Sequence, residues 1–164
     1  MPARFMSMRN EGMVVRASRA SFALASRHAR ESLPHETGGI LTGWRAGPEV
    51  IVDSFLEVRD RDATRSGYWR RESPATRILA DYLKATDDSD LGYVGEWHSH
   101  PRLLPASKTD IASLKAIAMQ VRAPIALVVL MVDQIQGVVS ADTSIAARGP
   151  FFRTAVSSVA LNLH

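Results

Sequence analysis

The sequence predicts a single domain of the α/β or α+β class. Three segments with helical periodicity alternate with short apolar segments that are typical of strands. The strongest strand signal is the uninterrupted apolar run from Ile125 to Val132, as expected for a strand covered on both faces of its sheet. With 164 residues, of which 46% are hydrophobic and 23% charged, the chain is long enough to bury one ordinary core.

The helix boundaries are indicated by capping residues and prolines. Ser18 suits the N-cap of a first helix, which ends before Pro34. Pro74 suits the first turn of a second helix, and Ser107 suits the start of a third. The predicted helices cover residues 19–32, 74–85 and 107–121.

The strands are indicated by apolar segments between turn signals. They are predicted at residues 13–16, 40–44, 50–58, 92–97, 125–132 and 137–141. Residues 57–73 are highly charged and lack a clear period, so they are predicted to form an exposed loop. Residues 150–164 are compatible with either a last strand or a short helix.

Composition excludes several classes of protein. The chain has no cysteine, which excludes disulfides, thiolate zinc sites, iron–sulfur clusters and cysteine nucleophiles. No apolar stretch approaches the ~18 residues of a membrane span, and the first residues lack the apolar core of a secretory signal. We therefore expect a cytoplasmic protein that does not associate with a membrane.

The positive charge of the chain is concentrated in one segment. Residues 1–30 hold six arginines and one acid, a net charge of +5, whereas the remaining 134 residues sum to −2. The segment is compatible with a solvated basic face or with docking to an acidic partner. Because aromatic residues do not interleave the arginines, nucleic-acid binding is not expected.

A candidate metal site follows the strand at 92–97. His98 and His100 are two residues apart, which places both imidazoles on one side of an extended chain, and Asp110 comes ten residues later. Two imidazoles and one carboxylate make the three protein ligands of a catalytic zinc site, with water as the fourth ligand. Each part also has an ordinary interpretation: the histidines as surface or core residues, and Ser107 with Asp110 as a helix cap. The cap and the metal site can coexist.

Hydrolysis at such a site requires a general base near the water. Glu36 lies just before Gly38 and Gly39, at the start of a predicted strand. Glu96 lies two residues before His98 and shares its face of the strand. The residues alone leave both candidates open.

The order Glu36-x-Gly38-Gly39, His98-Ser99-His100-Pro101 and Ser107-x-x-Asp110 resembles the JAMM motif of the MPN-domain zinc isopeptidases. The resemblance spans roughly residues 12–142 and is strongest to the prokaryotic branch (Prok-JAB). That branch includes deconjugating peptidases of bacterial ubiquitin-like conjugation and antiphage (CBASS-type) operons. The resemblance implies a single-domain MPN fold, cytidine-deaminase-like, with a mixed central β-sheet flanked by helices. It implies a domain over residues 12–148, a basic lead-in at 1–11 and a C-terminal segment at 149–164 that packs on the domain.

The same resemblance implies the role of each site residue. His98, His100 and Asp110 would hold one Zn²⁺ per chain, Glu36 would assist attack by the zinc-bound water, and Ser107 would hydrogen-bond the oxyanion. The implied reaction is hydrolysis of the peptide or isopeptide bond after the C-terminus of a ubiquitin-like protein or protein conjugate. The loop between His100 and Asp110 is one residue shorter than in the family. We therefore expect the shape of this loop, and to a smaller extent the metal geometry, to differ from those of the family.

The implied partners are a ubiquitin-like protein as substrate and the activating and conjugating enzymes of the same operon. An extended C-terminal tail would bind by strand addition at a sheet edge near Glu36. The loop at 57–73 is the candidate for gripping the modifier or its target, through Tyr68, Trp69, Arg70 and Arg71. Trp44 and Trp97 lie on predicted strands and are expected in the core.

Other functions use the same residues differently. The substrate can instead be a sulfur-carrier-type precursor or a cell-wall peptide. A non-catalytic MPN scaffold and a DNA-associated relative are the alternatives outside peptidase chemistry.

Overall fold

The computed structural model describes residues 12–149, 151 and 153–164. The expected basic lead-in at 1–11 therefore lies outside the described residues. The strands are β1 (Val14–Ala17), β2 (Gly38–Ala46), β3 (Glu49–Glu57), β4 (Gly92–His100), β5 (Ile125–Val132), β6 (Val139–Arg148), β7 (Thr154–Val159) and β8 (Leu161–Leu163). The helices are α1 (Arg19–Glu31), α2 (Glu72–Thr86) and α3 (Lys108–Val121).

Within the described residues, the strands form one mixed sheet in the order β7-β6-β5-β4-β2-β3-β1-β8. β4 runs parallel to β5 and antiparallel to β2. The carboxyl ends of β4 and β5 therefore lie at the same end of the sheet as the first residue of β2. This end brings the histidine pair next to the segment that carries Glu36.

The helices cover both faces of the sheet, as the predicted fold class requires. Ala25 and Ala29 of α1 pack into a core with the even-numbered residues of β5, such as Val128. On the other face, Leu114 of α3 packs against odd-numbered residues of β5, such as Val129. The continuous apolar run of β5 is thus explained, because each of its faces meets a different helix.

Helix α2 lies on the same face as α3. Its Ala75 is buried with Ile40 of β2, and Tyr93 packs against both this small cluster and the α3 cluster. The chain between β3 and α2 has no helix or named strand, in agreement with the loop predicted at 57–73. The fold is a single mixed α/β domain with its sheet flanked by three helices.

The predicted helices are confirmed within two residues at each end. The open choice at the C-terminus is decided in favour of strands, because β7 pairs with β6 and β8 pairs with β1, at opposite edges of the sheet. No helix among the described residues is long and apolar enough to cross a membrane.

Of the two tryptophans expected in the core, Trp97 is fully buried and Trp44 is not. Trp44 is 38% exposed. It pairs with Ile51 on the face away from the α1 core, and the apolar cluster under α2 includes neither residue. The prediction of a buried Trp44 is therefore wrong, because a strand position alone does not say whether a helix covers it.

The expected sheet edge near Glu36 is also wrong. β2 is an interior strand between β4 and β3. The Glu36 N–H donates to Thr64 O at 2.8 Å, and Gly38 O accepts from the Val58 N–H at 2.8 Å. The backbone before and at the start of β2 is therefore already paired, which leaves no edge there for an added strand.

A substitution at Gly39 tests the close packing of β2 against β3. A Cβ at this position would overlap the Leu56 carbonyl, whereas a Cβ at Gly92 would meet no atom within 4 Å. We expect Gly39→Ala to destabilise the protein by about 2–3 kcal/mol, which lowers Tm by roughly 5–10 °C for a domain of this size. Gly92→Ala is the control and should melt within about 2 °C of wild type. Equal melting of the two variants would contradict the register of β2 and β3.

Candidate metal centre

The predicted metal ligands are brought together by the end of β4 and the first turn of α3. Ligand atoms of His98, His100 and Asp110 lie within 4.8 Å of one another. The two histidine Nε2 atoms are 3.2 Å apart. His98 Nε2 lies 3.4 Å from Asp110 Oδ1, and His100 Nε2 lies 3.8 Å from Asp110 Oδ2. The 3.2 Å spacing allows a hydrogen bond between the two rings, and it also suits a metal ion shared by both nitrogens.

These spacings fit a tetrahedral cation. Zn–N and Zn–O bonds of 2.0–2.1 Å place neighbouring tetrahedral ligands about 3.3 Å apart, close to the distances found here. His100 Nδ1 lies 2.6 Å from Leu104 O and so carries the ring proton. Its Nε2 is then left with a lone pair for a metal, a tautomer fixed by the backbone in the manner usual for metal-binding histidines. The group can therefore hold a metal ion.

Asp110 serves as a helix cap and faces the histidines at the same time. The Ser107 side chain accepts from the Asp110 N–H at 3.1 Å, and Asp110 Oδ2 accepts from the Ser107 N–H at 2.6 Å. This reciprocal pair is a capping box. Oδ1 remains directed at His98. The cap and the metal site, which the sequence left as two interpretations of one pair, coexist.

The shortened loop between His100 and Asp110 is tied to its surroundings. The Gln134 side chain donates to Pro101 O, and the Ala106 N–H donates to an Asp142 carboxylate oxygen at 2.8 Å. Leu104 holds His100 from within the same loop. The deletion of one residue is absorbed without separating the ligands.

The two carboxylates that the residues alone left open as general base, Glu36 and Glu96, differ in their surroundings. Glu36 is buried, and its Oε1 lies 4.0 Å from His100 Nε2. Glu96 is on the same face of β4, but its Oε1 is engaged by Arg70 at 2.7 Å and by the Tyr93 hydroxyl at 3.1 Å. One cavity of about 360 Å³ is lined by all five predicted site residues: Glu36, His98, His100, Ser107 and Asp110.

The protonation states of the site suit metal binding and proton transfer. Burial raises the pKa of Glu36, a change opposed by the charge of His98 and reinforced by that of Asp110. Burial lowers the pKa of His100, which keeps its imidazole neutral. Burial alone would raise the pKa of Asp110, but hydrogen bonds and charge from His98, together with the cap at Ser107, hold it well below its usual range. Asp110 is thus an anion, and Glu36 is closer to the neutral range where a base works best.

Ser99 and Thr37 position Glu36, and the motif analysis missed this role. Ser99 lies between the two histidines in the sequence, and its side chain is buried. Its hydroxyl accepts from the Thr37 N–H at 3.0 Å. The Ser99 N–H donates to Thr37 O at 2.7 Å. The Thr37 hydroxyl donates to Glu57 at 2.9 Å, which ties the segment to β3 as well. The only sequence signal for this role was that Thr37 follows Glu36 and that Ser99 lies between His98 and His100.

The loop at 57–73 uses most of its notable side chains internally. Tyr68 donates to Val58 O at 2.6 Å, Arg70 pairs with Glu96, and Arg71 bonds Asp62 at 2.9 Å. Trp69 is 71% exposed. It lines a second cavity of about 390 Å³ that also reaches His98 and Asp110. Of the four residues expected to grip a partner, Trp69 is thus the most available.

Comparison with known proteins identifies the family and supports the fold. The profile of prokaryotic homologs of the JAB domain matches residues 18–144. The chain belongs to this family. The Prok-JAB match includes every residue of the motif and supports the JAMM-type fold. No curated protein matches the chain significantly.

A solved structure gives independent support for the fold. The solution structure of protein DSY2949 from Desulfitobacterium hafniense superposes with a TM-score of 0.65 at 18% sequence identity. The alignment covers 92% of this chain and 93% of that one. At this identity the similarity concerns the fold alone, and it extends over nearly the whole domain.

The ligand set makes a prediction about metal binding. We expect His98→Ala and Asp110→Asn each to weaken metal affinity by more than about 100-fold, since even supporting residues around a metal contribute 10–100-fold. Asp110→Asn keeps an oxygen that can accept from Ser107, so the cap is preserved. The number of metal ions per chain is measured by inductively coupled plasma mass spectrometry. Zinc affinity is measured by titration of each variant. His35→Ala alters an exposed histidine and should bind as wild type; wild-type affinity in Asp110→Asn would exclude this carboxylate as a ligand.

Proposed function

We propose that this protein is a zinc-dependent peptidase that hydrolyses the peptide or isopeptide bond after the C-terminus of a ubiquitin-like protein. The observation that carries the proposal is the buried Glu36 carboxylate, 4.0 Å from His100, at the edge of the His98, His100 and Asp110 cluster. A purely structural metal site needs closed coordination and no base. Here three protein ligands and a buried carboxylate share one open cavity.

Each residue has a chemical task in this proposal. Zn²⁺ held by His98, His100 and Asp110 would lower the pKa of a bound water towards ~7 and supply a nucleophile at neutral pH. Glu36 takes the proton from the attacking water. The water oxygen bonds to the carbonyl carbon, the C–N bond breaks, and Glu36 passes the proton to the leaving amine. The products are a carboxylic acid and an amine.

Ser107 suits the stabilisation of the negative charge that develops on the carbonyl oxygen. Its hydroxyl oxygen accepts from the Asp110 N–H, which leaves the hydroxyl hydrogen to be donated to the oxyanion. One such donor contributes roughly 3 kcal/mol to transition-state stabilisation in comparable sites. Ser107 also lines the cavity that contains the ligand cluster.

An extended polypeptide suits the surface around the site. Two cavities share Tyr68, His98 and Asp110 in their linings, and one of them also reaches Trp69 while the other reaches Glu36. A chain that crosses the cluster would place one residue in each cavity. This supports a ubiquitin-like tail as substrate, bound in a groove rather than at a sheet edge.

Glu36→Gln tests the proposed reaction. We expect cleavage to fall by about 10²–10⁴-fold, the contribution of a general base, with metal content unchanged because Glu36 is not a ligand. The measurement is release of a reporter fused to the C-terminus of a ubiquitin-like protein, followed by mass spectrometry. Glu96→Gln is the comparison and should retain most activity, because Glu96 is held by Arg70.

The outcomes separate the competing functions. A loss in Glu96→Gln without a loss in Glu36→Gln would reverse the assignment of the base. The same cleavage assay is also run with a sulfur-carrier-type precursor and with a cell-wall peptide as substrates, since both would use the same site. If the zinc-loaded wild type cleaves none of the three, the peptidase proposal fails and the non-catalytic scaffold is favoured.

A further inference from the structure

Two arginines at the mouth of the Glu36 cavity have no assigned role. Arg65 and Arg102 both line the cavity that contains the ligand cluster. Both are exposed, and neither guanidinium forms an ion pair or hydrogen bond with any residue in the described part of the chain. The other arginines near the site, Arg70 and Arg71, are paired with carboxylates.

Both arginines are attached to backbone that is itself fixed to the site. Arg65 follows Thr64, whose carbonyl accepts from the Glu36 N–H at 2.8 Å and whose N–H donates to Gly67 O at 2.8 Å. Arg102 comes two residues after His100, and its charge acts on the pKa of Glu36. Both arginines therefore extend from segments that adjoin Glu36, and both line its cavity.

The charges in this cavity do not balance once a metal is present. The acidic lining residues are Glu36 and Asp110, and they offset Arg65 and Arg102. A divalent cation then leaves an excess of two positive charges. The guanidinium group of an arginine binds a carboxylate with two parallel hydrogen bonds. Such pairs are stronger where water is partly excluded. The cavity is therefore matched to an anionic group on the substrate.

The direction of the reaction assigns this cavity to one side of the cleaved bond. Glu36 lines it and does not line the cavity beside Trp69. Because Glu36 delivers the proton to the leaving amine, the amine fragment lies on the Glu36 side. A cavity of about 360 Å³ accommodates one or two residues of that fragment.

We infer that the fragment released as the amine carries a carboxylate close to that amine, which Arg65 and Arg102 bind. This rests on the proposed function and adds the chemical class of the leaving group. The carboxylate has two possible sources: the C-terminal α-carboxylate of a released residue, or an acidic side chain next to the cleaved bond. In either case one C–N bond is hydrolysed and the released amine keeps its carboxylate.

The experiment compares three dansyl peptides that end in Gly-Gly-Ala free acid, Gly-Gly-Ala amide and Gly-Gly-Asp amide. Affinity is measured by fluorescence anisotropy with the zinc-loaded full chain carrying Glu36→Gln, so that no turnover occurs. We expect a carboxylate peptide to bind at least about tenfold more tightly than Gly-Gly-Ala amide. Preference for the free acid identifies a C-terminal carboxylate, and preference for the Asp amide identifies an acidic side chain.

Arginine variants assign the effect to this cavity. Adding Arg65→Gln or Arg102→Gln should reduce the preference, and the two together should abolish it. Arg77→Gln, on the exposed face of α2, is the matched control and should keep it. Equal affinity for all three peptides would overturn the inference. So would a preference that survives the double variant, because the carboxylate would then bind elsewhere, for example on the metal.

Cleavage of the same peptides by the zinc-loaded wild type tests the proposed function separately. If the wild type cleaves the peptides without a preference for a carboxylate, the peptidase proposal stands and the inference about the leaving group is rejected. Arginine-dependent binding without cleavage would keep the carboxylate site and reject hydrolysis of this bond. Thermal melts of all variants verify that the substitutions leave the fold intact.

Discussion

The candidate site depends on the register of β2 against β4, in which Gly38 pairs with His98. A Cβ at Gly38 would lie 2.7 Å from the Tyr68 ring and 2.8 Å from His98 Cβ, so the two strands and the loop meet here only because the side chain is absent. A one-residue slip would turn every β2 side chain to the opposite face of the sheet. The buried pairing of Ser99 with Thr37 holds this register and thereby keeps Glu36 beside His100.

Helix α3 supplies Asp110, the third residue of the cluster, at little cost to stability. A carboxylate at the N-terminus of a helix is favourable by itself, through the capping box with Ser107 and the helix dipole. Asp110 is therefore ordered before a metal binds, and one of its oxygens is still directed at His98. The helix is in turn anchored by Leu114 against β5, the strand parallel to β4. A single packing arrangement thus positions the cap and the ligand cluster.

The two cavities that flank the cluster differ in electrostatics. Beside Trp69, the lining carboxylates Glu72, Glu96 and Asp110 outnumber the single arginine, Arg70, so the protein makes this side net negative. Beside Glu36, Arg65 and Arg102 face the solvent without ion-pair partners in the described structure. Since the Glu36 side would receive the leaving amine, this asymmetry gives the groove a direction. With the proposed direction of cleavage, a more acidic side for the acyl fragment and a more cationic side for the amine fragment would give a physical basis for substrate selection.

The sequence by itself determined the fold class, because apolar periodicity and capping patterns are local signals. The closely spaced histidines and their resemblance to the JAMM motif pointed to His98, His100 and Asp110 as candidate ligands. Apart from the resemblance to the JAMM motif, the residues did not distinguish Glu36 from Glu96, because the ion pair of Glu96 with Arg70 involves a distant loop. The sequence also placed Trp44 in the core, although strand position does not reveal which part of a sheet a helix covers. Only the tertiary structure brought Arg65 to the site, through a hydrogen bond between Thr64 and Glu36 that no local pattern encodes.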